Sequence, residues 1–327
     1  ALDRSLKRLN SRRISSADRQ PEAERLTKTP PTGLKMHRLQ TGIPELDEML
    51  GGGLIPGTLT VVCGATGIGK TQLGLQWNYQ GKRQEGETGI LFDLTTRGDS
   101  QNHREYAQRL FDWTPTQQNP DTPLELSHLW DRALSRRDYL HIFQQSGRRV
   151  TRNELDVDGW REWKVELARK LDAAIYFFYA NFVHGSRRVI IDGVEPTEKE
   201  CDSFQFHLFE YVYHQILHKE SDWVARDLFR VNYRANEPTI LQHNYRHQDV
   251  GCLLLYTTHE QMLDDMLERP IQSGDVLANA NTIILMGKTR EAGKMGRALH
   301  ISKHRGSACD ESIVPYEITA SGLKLKR

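Results

Sequence analysis

An α/β fold, with a mainly parallel sheet flanked by helices and a C-terminal β-hairpin, is what three features of this 327-residue sequence predict. A glycine-rich loop, "GATGIGKT" (Gly64–Thr71), lies between a β-branched apolar run and a run with helical spacing. Further short apolar runs follow, separated by helical stretches, as parallel strands with crossover helices require. The C-terminal residues alternate in polarity and turn back on themselves.

The first 38 residues carry ten Lys/Arg against four Asp/Glu and few large apolar side chains, which predicts a basic arm rather than a core segment. The folded domain is expected from about Leu39 to Arg327. Its first strand is "GTLTVVC" (Gly57–Cys63), assigned from Thr58, and the helix after the loop starts in "TQLGLQWNYQG", with Leu73, Gln76, Trp77 and Gln80 at helical spacing. Later strands are expected at Gly89–Leu94, Val189–Asp192, Gly251–Thr257 and Thr282–Met286. "RALHISKHRGS" and "VPYEITASGLKL" then read as the closing hairpin. Two stretches fit this plan poorly and read as insertions. Residues 115–185 include a helix with Trp160, Trp163, Leu167, Leu171, Ala174, Ile175 and Phe178 on one face, read as packing. Residues 222–249, rich in Arg, Asn, His and Tyr, read as a surface excursion.

Composition narrows the functional classes. With 38% hydrophobic and 27% charged residues, the chain suits one large or two small globular domains. A formal net charge of +1 argues neither for nor against a polyanionic partner. No apolar run reaches the ~18 residues of a membrane span, and the first residues are charged rather than signal-like, so the expected location is cytoplasmic. Cys63, Cys201, Cys252 and Cys309 are widely spaced and read as thiols, not as a disulfide frame or zinc site. His243 and His247, at i and i+4, have the spacing of two metal ligands but no third ligand at a recognisable interval.

The loop carries the chemistry. The pattern G-x-x-x-x-G-K-[ST] wraps a phosphate in backbone N–H groups, here those of Gly64, Ala65, Thr66, Gly67, Ile68, Gly69, Lys70, Thr71 and Gln72. Lys70 is then the residue that reaches the terminal phosphates, and the Thr71 hydroxyl holds Mg²⁺. A second acidic group for the magnesium shell is expected at the end of a buried strand, and Asp192 closes "RRVIIDG" in that position. ATP and Mg²⁺ are therefore the expected cofactors.

The approach to the loop, "TGIPELDEMLGGGLIPGTLTVVCGATGIGKTQLGLQ" (Thr41–Gln76), resembles the opening of the RecA-like P-loop ATPases, most closely the KaiC-type branch. "ALHISKHRGSACDESIVPYEITASGLKL" (Ala298–Leu325) is similar to the strand and hairpin that close such domains, while "LLLYTTHE" and "DVLANANTIILM" resemble core strands between. The resemblance implies a RecA-like core over 39–327 with nucleotide at the interfaces of a ring or filament of identical subunits. It also implies that Lys303 and Arg305 reach a neighbour's γ-phosphate; the plainer reading makes them basic residues guarding an edge strand.

One departure stands out. The family places one or two glutamates after its second core strand to activate water, and "GILFDLTTRGDS" has Thr95 and Thr96 there. Threonine is no base near neutral pH. Asp93, on the same strand face as Thr95, is the substitute assigned to the site, with Asp99 and Glu195 as alternatives. Three functions stay open: a slow ATPase acting as a switch or assembly factor; a recombinase-like motor binding nucleic acid through the basic arm and insertions; and a scaffold that binds ATP without turnover.

Overall fold

The computed structural model describes residues 37–95, 103–143, 157–194, 204–269, 276–291 and 293–326. In chain order its helices and strands are α1 (Pro44–Met49), β1 (Leu59–Gly64), α2 (Lys70–Gln84), β2 (Ile90–Asp93), α3 (His103–Phe111), β3 (Gln117–Gln118), α4 (Arg132–Ser135), β4 (Tyr139–His141), α5 (Val157–Val183) and β5 (Arg188–Val194). They continue with α6 (Phe204–Val212), α7 (Ser221–Phe229), α8 (Tyr233–Gln242), β6 (Gly251–Thr257), α9 (Leu263–Glu268), α10 (Val276–Asn279), β7 (Thr282–Glu291), β8 (Lys294–His304), β9 (Val314–Thr319) and β10 (Gly322–Leu325).

One ten-stranded sheet takes the order β10-β9-β8-β7-β1-β6-β5-β2-β4-β3. Every pair from β7 to β3 is parallel, whereas β8, β9 and β10 close the other edge antiparallel. β1, β2, β5 and β6 are buried almost throughout, which is why they read as continuous β-branched or leucine-rich runs rather than alternating ones. Two hydrophobic clusters cover the two faces, one built on Phe92, Phe178 and Leu254, the other on Val62, Trp77 and Ile190.

At the opposite end from the glycine-rich loop, Arg188 opens β5 fully buried. It donates to Glu85 Oε1 and Oε2 (2.9 and 2.6 Å), to the carbonyls of Gln40 and Trp77 (2.6 and 2.7 Å) and to Gln84 Oε1 (2.5 Å). This guanidinium ties the end of α2 and the approach segment to the sheet, so the helix that begins at the loop is anchored at both ends.

Several sequence expectations need correction. The stretch from Pro115 to Gly185 is not outside the sheet, because β3 and β4 extend it beyond β2. With two and three residues they are too short to show alternation. The helix stripe becomes burial on all sides from Ala173 to Phe182, since sheet residue Phe92 contacts Phe178 while Tyr245 contacts Tyr179 and Phe182. The side chains of Trp160, Trp163 and Leu167 lie outside the described residues. Residues 222–249 form helices rather than a surface excursion, with Phe229, Tyr233, Ile240 and Tyr245 buried. β7 runs to Glu291 instead of Met286, because β8 pairs with it along its whole length. β8 pairs with β7 on one side and antiparallel with β9 on the other, as the expected closing strands require, and β9–β10 adds a tighter terminal hairpin. The basic arm, apart from His37 and Arg38, lies outside the described residues, as does Cys201.

Candidate functional site

β1 ends at Gly64 and α2 begins at Lys70, so the loop spans the C-terminal edge of the sheet and the N-terminus of a 15-residue helix. Gly64 has to be glycine, since a Cβ there would stand 2.4 Å from the Met286 carbonyl oxygen. Gly67 and Gly69 take φ values of 77° and 115°, which side chains disfavour. Ala65 and Gly69 are half-buried, Thr66 and Gly67 are exposed, Ile68 is buried and Gln72 is half-buried, so the loop presents its middle to solvent.

Lys70 folds back over this loop. Its ammonium donates to the carbonyls of Gly64 (2.8 Å) and Ala65 (3.0 Å). Burial pulls its pKa below the ordinary lysine value, against the pull of the nearby Asp192 charge. One residue on, the Thr71 hydroxyl donates to Asp192 Oδ2 at 3.0 Å, while Asp192 Oδ1 accepts the Gly193 N–H at 2.8 Å. A hydroxyl and a carboxylate joined at the mouth of a phosphate-type loop are hard oxygen donors, and that set fits a magnesium ion.

The register of three parallel strands explains the rest of the site. His141 of β4, Asp93 of β2 and Asp192 of β5 are successive partners across the sheet, which sets two buried carboxylates side by side. His103, the first residue of α3 and fully buried, lies between them. Its Nδ1 stands 3.3 Å from Asp93 Oδ2 and its Nε2 2.9 Å from Asp192 Oδ2. Burial alone would discharge this ring, but the two carboxylates raise its pKa to about 10, so it is an imidazolium bridging both acids. Asp93 shows the converse. Burial opposes its charge, yet His103, His141 and the Tyr139 hydroxyl hold its carboxyl well below the usual carboxylate range.

That environment corrects the expectation for Asp93. Its Oδ1 accepts the Thr95 N–H at 2.8 Å and its Oδ2 accepts the Tyr139 hydroxyl at 2.7 Å, and it is 1% exposed. A carboxylate so engaged, with so low a pKa, is a poor acceptor for a proton from water. Thr95 is buried, and its carbonyl accepts from His141 Nε2 at 2.7 Å. Thr96, Asp99 and Glu195 lie outside the described residues.

Lys303 and Arg305 stand apart from this group. Lys303 donates to the carbonyls of Leu277 and Ala278 (3.2 and 2.9 Å) in α10, and burial lowers its pKa, with Arg305 adding to the effect. The Arg305 side chain is exposed, and its backbone N–H donates to the Asn281 carbonyl at 2.9 Å. The histidine pair does not form a metal site: His243 follows α8 and bonds the Thr239 carbonyl, whereas His247 belongs to a separate turn and faces Glu220. Among the described residues no group of three His, Cys, Asp or Glu could hold a metal ion.

Comparison with known proteins agrees with this geometry. Residues 39–121 match the family model described as "ATPase: KaiC". Over these residues the chain is similar to the RecA-like P-loop ATPases of the KaiC-type branch. The circadian clock protein KaiC2 of Synechocystis is 40% identical over 58 residues, 18% of this chain and 10% of that protein. The DNA repair protein RadA of Mycobacterium tuberculosis is 41% identical over 61 residues, 16% of this chain and 13% of that protein. The chain thus spans only 10–13% of the length of these relatives. A solved KaiC-like protein from Pyrococcus horikoshii aligns with 89% of this chain and 100% of its own, at 17% identity and a TM-score of 0.46. Sequence reasoning singled out Lys70, Thr71 and Asp192, which the structure brings together at the loop, but not His103, Tyr139 and His141, which lie beside the two acids. A lone histidine opening the amphipathic stretch "HREYAQRLF" carries no signal of its own, and only the strand register brings it to the acids.

Proposed function

We propose that this KaiC-like domain binds Mg·ATP at Gly64–Thr71 and hydrolyses it slowly, acting as a nucleotide-dependent switch or assembly factor in a homo-oligomer. The observation that carries the reading is the Thr71–Asp192 contact at the mouth of the loop, beside a lysine held on loop carbonyls. The backbone of Gly64, Ala65, Thr66, Gly67, Ile68, Gly69, Lys70, Thr71 and Gln72 would cradle the phosphates, and Thr71 with Asp192 would hold magnesium. Magnesium, when bound, neutralises charge on the phosphate oxygens. Lys70 leaves its loop carbonyls for the phosphates, and His103 with Asp93 keeps Asp192 oriented.

Slow turnover follows from the acids. Asp93 is engaged and Thr95 is no base; where no positioned base takes the proton, the rate falls roughly 10²- to 10⁴-fold. Lys303 and Arg305 are proposed to act on a neighbouring subunit's nucleotide, and the exposed Arg305 side chain is free to extend there. The test is ATP turnover across a protein concentration series, beside Lys70→Ala and Arg305→Ala. Turnover per subunit that rises with concentration and vanishes in both variants supports a shared site, whereas ATP that stays intact at every concentration favours the scaffold reading. The likeness to a DNA repair protein favours a second reading, nucleic-acid binding, checked by a salt-sensitive shift of labelled single-stranded DNA.

A further inference from the structure

The terminal hairpin β9–β10 lies against the phosphate loop rather than merely finishing the sheet. Tyr316, buried on β9, donates its hydroxyl to the Ile68 carbonyl at 2.7 Å. Two residues on, Ile318 lies over Gly69, where a Cβ would come within 3.0 Å of its Cδ1 and 3.8 Å of Leu323 Cδ1. Across the hairpin, the Leu323 backbone is held at both groups by one side chain of α2. Its N–H donates to Gln76 Oε1 at 2.7 Å, and its carbonyl accepts from Gln76 Nε2 at 3.2 Å.

These contacts act on one peptide plane. In a trans peptide the carbonyl and the following N–H are coplanar and point in opposite directions. A hydroxyl that fixes the Ile68 carbonyl therefore also aims the Gly69 N–H away from the hairpin. Gly69, at φ 115°, has little steric hindrance to rotation of its own, so the direction of that donor has to be imposed from outside the loop. Burial also pushes the Tyr316 phenol up, which keeps it a donor at any physiological pH.

We propose that the C-terminal hairpin is a clamp on the phosphate loop, with Tyr316 as the positioning residue that orients the Gly69 N–H for a nucleotide phosphate. The proposal rests on the nucleotide-binding reading above. It assigns to the C-terminal strands a part in forming the site on their own subunit.

The experiment measures Mg·ADP affinity by titration calorimetry, with thermal midpoints of the nucleotide-free proteins, for wild type, Tyr316→Phe and Ile240→Val. Tyr316→Phe keeps the ring in the core and removes one hydrogen bond, so affinity is expected to fall about five- to tenfold. Ile240→Val trims the core at α8 and is expected to lower the midpoint while leaving affinity unchanged. Tyr316→Phe binding within twofold of wild type overturns the clamp, and so does an equal affinity loss in Ile240→Val, which would make the effect one of general stability. A wild type that binds no ADP overturns the nucleotide reading itself, a result distinct from both.

Discussion

Replacing His103 by alanine removes a positive charge that stands between Asp93 and Asp192, and the structure fixes what should follow. The two carboxylates are register partners on adjacent strands, both essentially buried, and His103 reaches each through a different ring nitrogen at 3.3 and 2.9 Å. Removing one member of such a buried group strands the others, at a cost of about 3–5 kcal/mol. The Tyr139 hydroxyl and the Thr95 N–H still serve Asp93, and Thr71 with the Gly193 N–H still serve Asp192, so the lower part of that range is expected. Urea unfolding of the metal-free protein at pH 7 measures it. Adding Asp93→Asn to His103→Ala removes one of the stranded charges, so the double variant should be more stable than the sum of the two single losses by at least ~1 kcal/mol. A single loss below ~1 kcal/mol, or a cycle additive within ~0.5 kcal/mol, would refute the bridging imidazolium.

The same bridge sets a pH dependence. A histidine raised from 6.5 to about 10 contributes stability that is full below pH 6.5 and is lost as pH rises through 10. Wild-type unfolding free energy should therefore carry a falling component of up to ~1.4 kcal/mol per pH unit between pH 7 and 9, absent from His103→Asn. Asp93, held low, works in the other direction: its contribution is present above ~pH 4 and fades on acidification, as an acid titration followed by circular dichroism should register. Arg188→Met takes the guanidinium from Glu85, from the buried Trp77 carbonyl and from the part-buried Gln40 carbonyl and should cost about 3–5 kcal/mol in urea unfolding; a near-neutral variant would mean the guanidinium is replaceable by packing. Gly53→Ala places a Cβ 2.6 Å from the Leu39 carbonyl oxygen at φ 121°, so a loss of ~1–3 kcal/mol in thermal or urea unfolding is expected.

Much of the site was legible in the sequence because its information is local. Gly64 to Thr71 is contiguous, the flanking runs declare strand and helix, and Asp192 sits at the end of an apolar run that only a buried strand explains. Gln76 and Gln80 show where that legibility stops. Their helical spacing was read correctly, but Leu73 and Trp77 are buried while Gln76 binds the Leu323 backbone and Gln80 binds Gln40. Helical period gives the face of a helix and not what the face meets.

By itself the sequence determined the α/β order of elements, the glycine-rich loop between β1 and α2, Asp192 at the end of its apolar run and the absence of glutamate at Thr95. Each of these is written in neighbouring residues or in the period of one element. Tertiary structure alone decided that His103 neutralises Asp93 and Asp192, that two very short strands widen the sheet, and that Tyr316 reaches Ile68 across 248 positions of sequence. Parallel strand order and register are set by how distant segments bury their apolar faces together, and no local pattern encodes which polar groups that burial leaves facing one another.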